Sequence, residues 1–162
     1  MSAELRSRSW LVSLATLRRA PGSRRQVEIA ASIPELAITY SCVPEGVPVS
    51  FDGAIESFAG GVNVKGLVRA PFEGTCRRCL GVARGHLVAV VDEVCMDHPR
   101  PDSDYVIGPD YIDLEPMVHD ACILELPLAP LCQEQCQGLC PYCGANRNQE
   151  TCSCVEPDIS SS

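Results

Sequence analysis

Aromatic residues are scarce in this sequence: one Trp, three Phe and four Tyr, 5% of 162 residues. The core must therefore be built from Val, Leu, Ile and Ala, a composition that suits sheets, and few rings are left for stacking nucleobases. Long hydrophobic runs are missing as well. No stretch approaches the roughly 18 consecutive apolar residues of a bilayer-crossing helix. The longest early run, Trp10 to Leu17, carries Ser13 and Thr16 and gives way at once to Arg18, Arg19 and Pro21, not to a small-residue cleavage site. The expectation is a cytoplasmic protein with no membrane partner. There is no P-loop, dinucleotide fingerprint or hydrolase elbow, and His86, His98 and His119 are scattered outside any motif. No enzyme and no small-molecule substrate is expected. Repeats of solenoid length are also absent.

Basic charge nearly disappears after residue 90. Residues 91–162 hold only Arg100 and Arg147 against fourteen carboxylates, whereas residues 1–25 hold six arginines against Glu4 alone, within a net charge of -8. An Arg-rich start can touch phosphate; the acidic second half repels nucleic acid and suits a basic protein partner.

What the sequence does have is cysteine: eleven in all. An odd number in a reducing compartment fits metal binding better than disulfides. Eight of them fall into four close pairs: Cys76 with Cys79, Cys132 with Cys136, Cys140 with Cys143, and Cys152 with Cys154. Eight thiolates make two tetrahedral zinc sites with no open position, which is structural and not catalytic zinc. Cys140-Pro141-Tyr142-Cys143-Gly144 is a strong knuckle signal, the glycine letting backbone amides turn toward sulfur. Loop closure favours joining Cys140 and Cys143 to Cys152 and Cys154, which leaves Cys76, Cys79, Cys132 and Cys136 as a long-range staple. The swapped pairing of Cys76 and Cys79 with Cys140 and Cys143 stays open. So does a redox switch that releases zinc on oxidation, whereas a thioredoxin-like dithiol at Cys76 and Cys79 lacks its βαβ surroundings. Cys42, Cys95 and Cys122 stand alone on apolar stretches as packing residues. Arg77, Arg78 and Arg84 cluster at the first knuckle, with Lys65 and Arg69 nearby, as candidate RNA contacts through the phosphate backbone. Asp110, Asp113, Glu115 and Asp120 gather where a helix starts and read as capping and solvation before a hard-metal site.

The local patterns give an α+β fold: a mostly antiparallel sheet or half-open barrel with one main helix and a C-terminal zinc-binding module. Strands are expected at Gln26–Ala30, Ala37–Val43, Val49–Phe58, Val62–Ala70 and Gly85–Cys95, the third and fourth joined at Gly60-Gly61. Residues 97–110 read as a loop. A helix capped by Asp113 follows, with Leu114, Met117, Val118, Ala121 and Leu124 at helical spacing, ended by Pro127. The organisation expected is a basic segment 1–25, a core 26–131, a cysteine-rich module 132–156 and a disordered tail 157–162.

Three stretches together resemble the YceD family of large ribosomal RNA subunit accumulation proteins. They are Pro71-Phe72-Glu73-Gly74-Thr75-Cys76-Arg77-Arg78-Cys79-Leu80, Tyr111-Ile112-Asp113-Leu114-Glu115-Pro116, and Leu126-Pro127-Leu128-Ala129-Pro130-Leu131-Cys132 through Gly138-Leu139-Cys140-Pro141-Tyr142-Cys143-Gly144. The resemblance implies a non-enzymatic role in accumulation of the large-subunit ribosomal RNA. The expected partner is a large-subunit precursor, met through ribosomal RNA, a basic ribosomal protein, or both. A redox-switched zinc holdase chaperone is the alternative from another class.

Overall fold

The computed structural model describes residues 8–102 and 105–155. The expected tail at 157–162, Arg6 of the basic segment, and Ser103 and Asp104 of the loop lie outside the described residues. Among the described residues seven strands and one α-helix follow in order: β1 Leu11–Ser13, β2 Arg24–Ala31, β3 Ser41–Cys42, β4 Val49–Phe58, β5 Gly61–Thr75, β6 Val82–Met96, β7 Tyr111–Asp113 and α1 Glu115–Glu125. The architecture is a mostly antiparallel, open sheet with one main helix. β2, β4, β5 and β6 lie side by side, and β3 extends the line of β4 along the same flank of β5. β1 and β7 form a separate two-stranded ribbon.

Alternation along the long strands sets the inner face. Val62, Val64, Val68 and Ala70 of β5 point inward with Leu87, Ala89, Val91 and Cys95 of β6, all buried. The pattern skips Gly66 because the Phe51 ring lies across it: a Cβ there would stand 2.6 Å from ring atoms. Trp10, Leu14, Ile112, Leu114, Met117, Val118 and Cys122 belong to the same core, and α1 packs mainly against β6 and then β5.

The two central strands are longer than their hydrophobic patterns suggest. β5 runs on through Pro71 because β4 pairs only as far as Arg69 and β3 begins at Glu73, so the missing proline N–H faces a gap in the ladder. The expected strand Ala37–Val43 is instead a tight turn. Ala37 bridges Cys42, and Ile38 N donates to Ser41 O at 2.9 Å, leaving only Ser41 and Cys42 on the sheet. Asp113 ends β7 and Leu114 takes the N-cap position, yet the Asp113 carboxylate still accepts the Glu115 N–H at 3.0 Å, the bond expected of a capping side chain. Leu124, expected on the buried stripe, is 83% exposed, while Cys122 fills the core. Among the described residues no helix is long and apolar enough to cross a membrane.

Candidate metal centres

The hairpin that joins β5 to β6 is a knuckle. Cys76 N donates to Gly81 O at 2.7 Å and Leu80 N to Cys76 O at 2.9 Å, which folds residues 76–81 so that both cysteine sulfurs face one point. Closing this turn requires a positive φ at the residue after the second cysteine. Here that residue is Leu80, at φ 60°. The second knuckle repeats the plan bond for bond: Cys140 N donates to Ala145 O at 2.8 Å and Gly144 N to Cys140 O at 2.9 Å, with Gly144 at φ 74°.

The chain after α1 returns to the first knuckle as a strap. Arg77 N donates to Pro130 O at 3.0 Å and Leu139 N to Arg78 O at 3.2 Å. The Arg78 guanidinium reaches across to Cys136 O at 3.1 Å. Cys132 and Cys136 are thereby laid against Cys76 and Cys79, and the four sulfurs lie within 4.8 Å of one another. Cys140, Cys143, Cys152 and Cys154 form the second group by the same measure. The swapped pairing is not what the structure adopts.

All eight thiols are free. In the first group Cys76 Sγ lies 3.8 Å from Cys136 Sγ, and Cys79 Sγ 3.5 Å from Cys132 Sγ, far beyond the roughly 2.05 Å of a disulfide. A tetrahedron with metal–sulfur arms of about 2.3 Å has edges of about 3.8 Å. The donor set thus fits one four-coordinate ion, and each of the two clusters could hold a metal ion.

Hydrogen bonding to sulfur supports the same fit. Burial works to raise the Cys76 thiol, but the backbone N–H groups of Cys79, Cys132 and Arg78 outweigh it and bring it from 9.0 to about 6. The N–H groups of Cys143 and Tyr142 lower Cys140 to about 6. Cys132 is pushed up to about 12, by burial first and then by the neighbouring thiols. Cys154 is pushed up to about 12 by the Cys143 side chain and by burial. Thiolates crowded together oppose one another's ionisation, and a divalent cation is what lets all four ionise at neutral pH.

Two residues that spacing alone did not single out complete the centres. Asn148 Nδ2 donates to Cys136 Sγ at 3.2 Å while its Oδ1 accepts from Gln137 N at 2.8 Å, so the loop of the second centre braces a ligand of the first. The Arg147 guanidinium lies on the sulfurs of Cys140 and Cys152 and is held protonated by them. The only sequence signal for either was the run Asn146-Arg147-Asn148 between two ligand pairs.

The candidate RNA contacts divide. Lys65, Arg69 and Arg84 share the outer face of the sheet, where Lys65 pairs with Asp92 at 3.4 Å and Arg84 with Glu73 at 3.0 Å. Arg78 braces the strap, and Arg77 is exposed beside it. The carboxylates near the helix start do not converge. Asp120 accepts the Tyr105 hydroxyl at 2.9 Å and Asp113 caps α1, and among the described residues only the two cysteine groups could hold a metal. Cys95 and Cys122 are buried and Cys42 is partly so.

No solved structure matches the chain. An uncharacterized protein of Mycobacterium tuberculosis is 34% identical over 141 residues, covering 82% of this chain and 68% of the relative. One from Mycobacterium leprae is 31% identical over 141 residues, covering 80% and 64%. A shorter match joins 26% of this chain to 13% of an Arabidopsis thaliana protein at 37% identity over 43 residues. That protein is named large ribosomal RNA subunit accumulation protein YCED homolog 1, chloroplastic. The model of one family covers residues 64–162, from β5 through both cysteine centres, and its description is large ribosomal RNA subunit accumulation protein YceD. With more than half of its length inside that match, the chain belongs to the YceD family.

Proposed function

We propose that this protein is a non-enzymatic, zinc-stabilised, cytoplasmic factor that supports accumulation of the large-subunit ribosomal RNA by holding a basic ribosomal protein, ribosomal RNA, or both. The observation that carries the zinc is the sulfur geometry: two four-cysteine groups, with edges in the first of 3.5 and 3.8 Å, suited to closed tetrahedral sites. The first centre fastens the module 132–156 to the core 26–131, and the second closes the module on itself. That module carries few apolar residues of its own, and it belongs to a half of the chain in which fourteen carboxylates face two arginines. Charge of that sign draws a basic protein and repels RNA. Three of the five candidate RNA contacts, Lys65, Arg78 and Arg84, are already engaged within the chain. The basic ribosomal protein is therefore the partner we favour for this half, with Arg69 and Arg77 left for phosphate.

Sedimentation of the tagged protein through a sucrose gradient, with and without mild nuclease, tests this reading. Travel with immature large-subunit particles supports it, and release by nuclease assigns the contact to RNA. A protein that stays wholly at the top of the gradient and binds no basic ribosomal protein at low salt refutes it. The exposure of Cys143 favours one second reading, the redox-switched holdase. It requires zinc loss and chaperone activity under mild peroxide.

A further inference from the structure

β6 is an edge strand of unusual length. All fifteen of its residues, Val82 to Met96, pair with β5 in an unbroken register without a bulge, and no other strand among the described residues pairs with its outer edge. Natural sheets blunt such edges with proline, lysine, bulges or brevity. β6 is neither short nor bulged and has no Pro or Lys between residues 82 and 96; its charges are Arg84, Asp92 and Glu93. The opposite edge strand, β2, is eight residues long and opens with Arg24 and Arg25.

The outward face of β6 carries five apolar residues among Arg84, His86 and Asp92. Val88 is 53% exposed, Val90 70% and Val94 59%. Leu67 of β5 stands beside Val90, and Val82 and Met96 are exposed at the two ends of the strand. An edge able to donate a full ladder, lined by valines, has the form of a strand-pairing surface.

We propose that the chain forms a two-fold dimer by antiparallel pairing of β6 with β6 of a second copy, centred on Val88. The occupant follows from self-complementarity. Side chains alternate between faces, so only registers that set even-numbered residues opposite even-numbered ones keep both inner faces on one side. Centring on Val88 does this and sets Val82 opposite Val94 of the other copy. It also sets Arg84 opposite Asp92, twice by symmetry. With the intramolecular pairs Arg84–Glu73 and Lys65–Asp92, each crossing becomes a row of alternating sign: Glu73, Arg84, then Asp92 and Lys65 of the other copy. A foreign strand would have to supply this charge pattern by chance; a second copy supplies it by symmetry.

Sedimentation velocity of the full, zinc-loaded chain up to about 200 µM is the first test, together with Arg84→Glu and Asp92→Lys variants. The wild type is expected to dimerise, and each variant alone to dimerise about tenfold less tightly or worse, because two like-charge crossings replace two attractive ones. Mixing the two variants restores a heterodimer, in which both crossings are again opposite in sign. Val88→Lys with Val90→Lys, on exposed positions, gives a folded monomer. A monomeric wild type overturns the proposal, as does a dimer indifferent to the lysines, or variants that fail to rescue each other. So does amide exchange in which β6 is protected only by an added ribosomal protein, since the edge then belongs to a different partner.

Discussion

Replacing Asn148 by alanine tests whether the two centres are physically joined. Its Nδ2 donates to Cys136 Sγ at 3.2 Å, and no other side-chain amide reaches that sulfur among the described residues. A hydrogen bond to a charged acceptor contributes about 1.5 to 3 kcal/mol. Asn148 is exposed, which puts its contribution at the lower end, and about 1.4 kcal/mol is tenfold in affinity. The expected result is that Asn148→Ala weakens one of two zinc ions about tenfold and leaves the other unchanged, within the range found for groups that hydrogen-bond to metal ligands. Competition with a chromophoric chelator, followed as two successive release steps, reads both ions in one titration. Equal weakening of both steps would mean that the substitution merely disturbs the loop. No change in either would show that the Asn148–Cys136 contact carries no energy.

Stripping zinc with a strong chelator should release residues 131–155 and the 76–81 knuckle to fast amide exchange while β2, β4 and β5 stay protected, since the main core lies apart from both centres. Unchanged protection of 131–155 would count against metal as its organiser. Changing Cys76 and Cys79 to serine should halve the zinc content, from two ions to one, by mass spectrometry of the native protein. Leu80→Gly should stabilise the chain. A left-handed leucine costs about 1 to 2 kcal/mol and glycine about 0.5 to 1 in lost freedom, so thermal unfolding should rise by a degree or two; a fall would mean that the Leu80 side chain contributes packing. At alkaline pH, burial holds the Cys95 and Cys122 thiols up to about 11. Their folded values lie above the unfolded value near 9, so their contribution is complete below pH 9 and lost as pH rises through 11. It amounts to about 3 kcal/mol each. Urea midpoints at pH 8 and pH 10.5 should show the decline, and Cys122→Ala should halve it.

Much of the sheet was legible because its strands obey a period of two. Val62, Val64 and Val68 announce β5, and Gly60 announces the turn before it. The ends of β5 and β6 were not legible, because Pro71 is a strand breaker everywhere except opposite a gap, and the gap is made by where β3 and β4 stop. β7 was invisible for a different reason: a three-residue strand carries no period, and it exists because β1 is its partner across about one hundred residues. The cysteine pairs were readable from spacing, and loop closure favoured the grouping the sulfurs adopt. Asn148 and Arg147 were not, because a side chain that bonds to a ligand needs no fixed spacing from it. Leu80 was hidden too: only when the first knuckle is laid beside the second, with Gly144 at the same place, does a leucine at φ 60° stand out.

The two centres share one backbone plan but close very different loops. The second needs only residues 144–151 brought round, whereas the first must bring Cys132 to Cys79 across residues 80–131, a span that contains β6 and α1. In an unfolded chain that difference disfavours the first centre by about 1.5 kcal/mol, since each doubling of loop length costs about 0.6. The folded sheet removes it, because Arg77 N and Arg78 O already hold Pro130 and Leu139 in place. The second centre can thus assemble on a local segment, while the first is conditional on β5, β6 and α1 being in position. Asn148 then ties the conditional centre to the local one. The cysteine-rich module is fixed to the sheet only when the sheet is folded, so a partner gripped by both surfaces would be gripped by the native state alone.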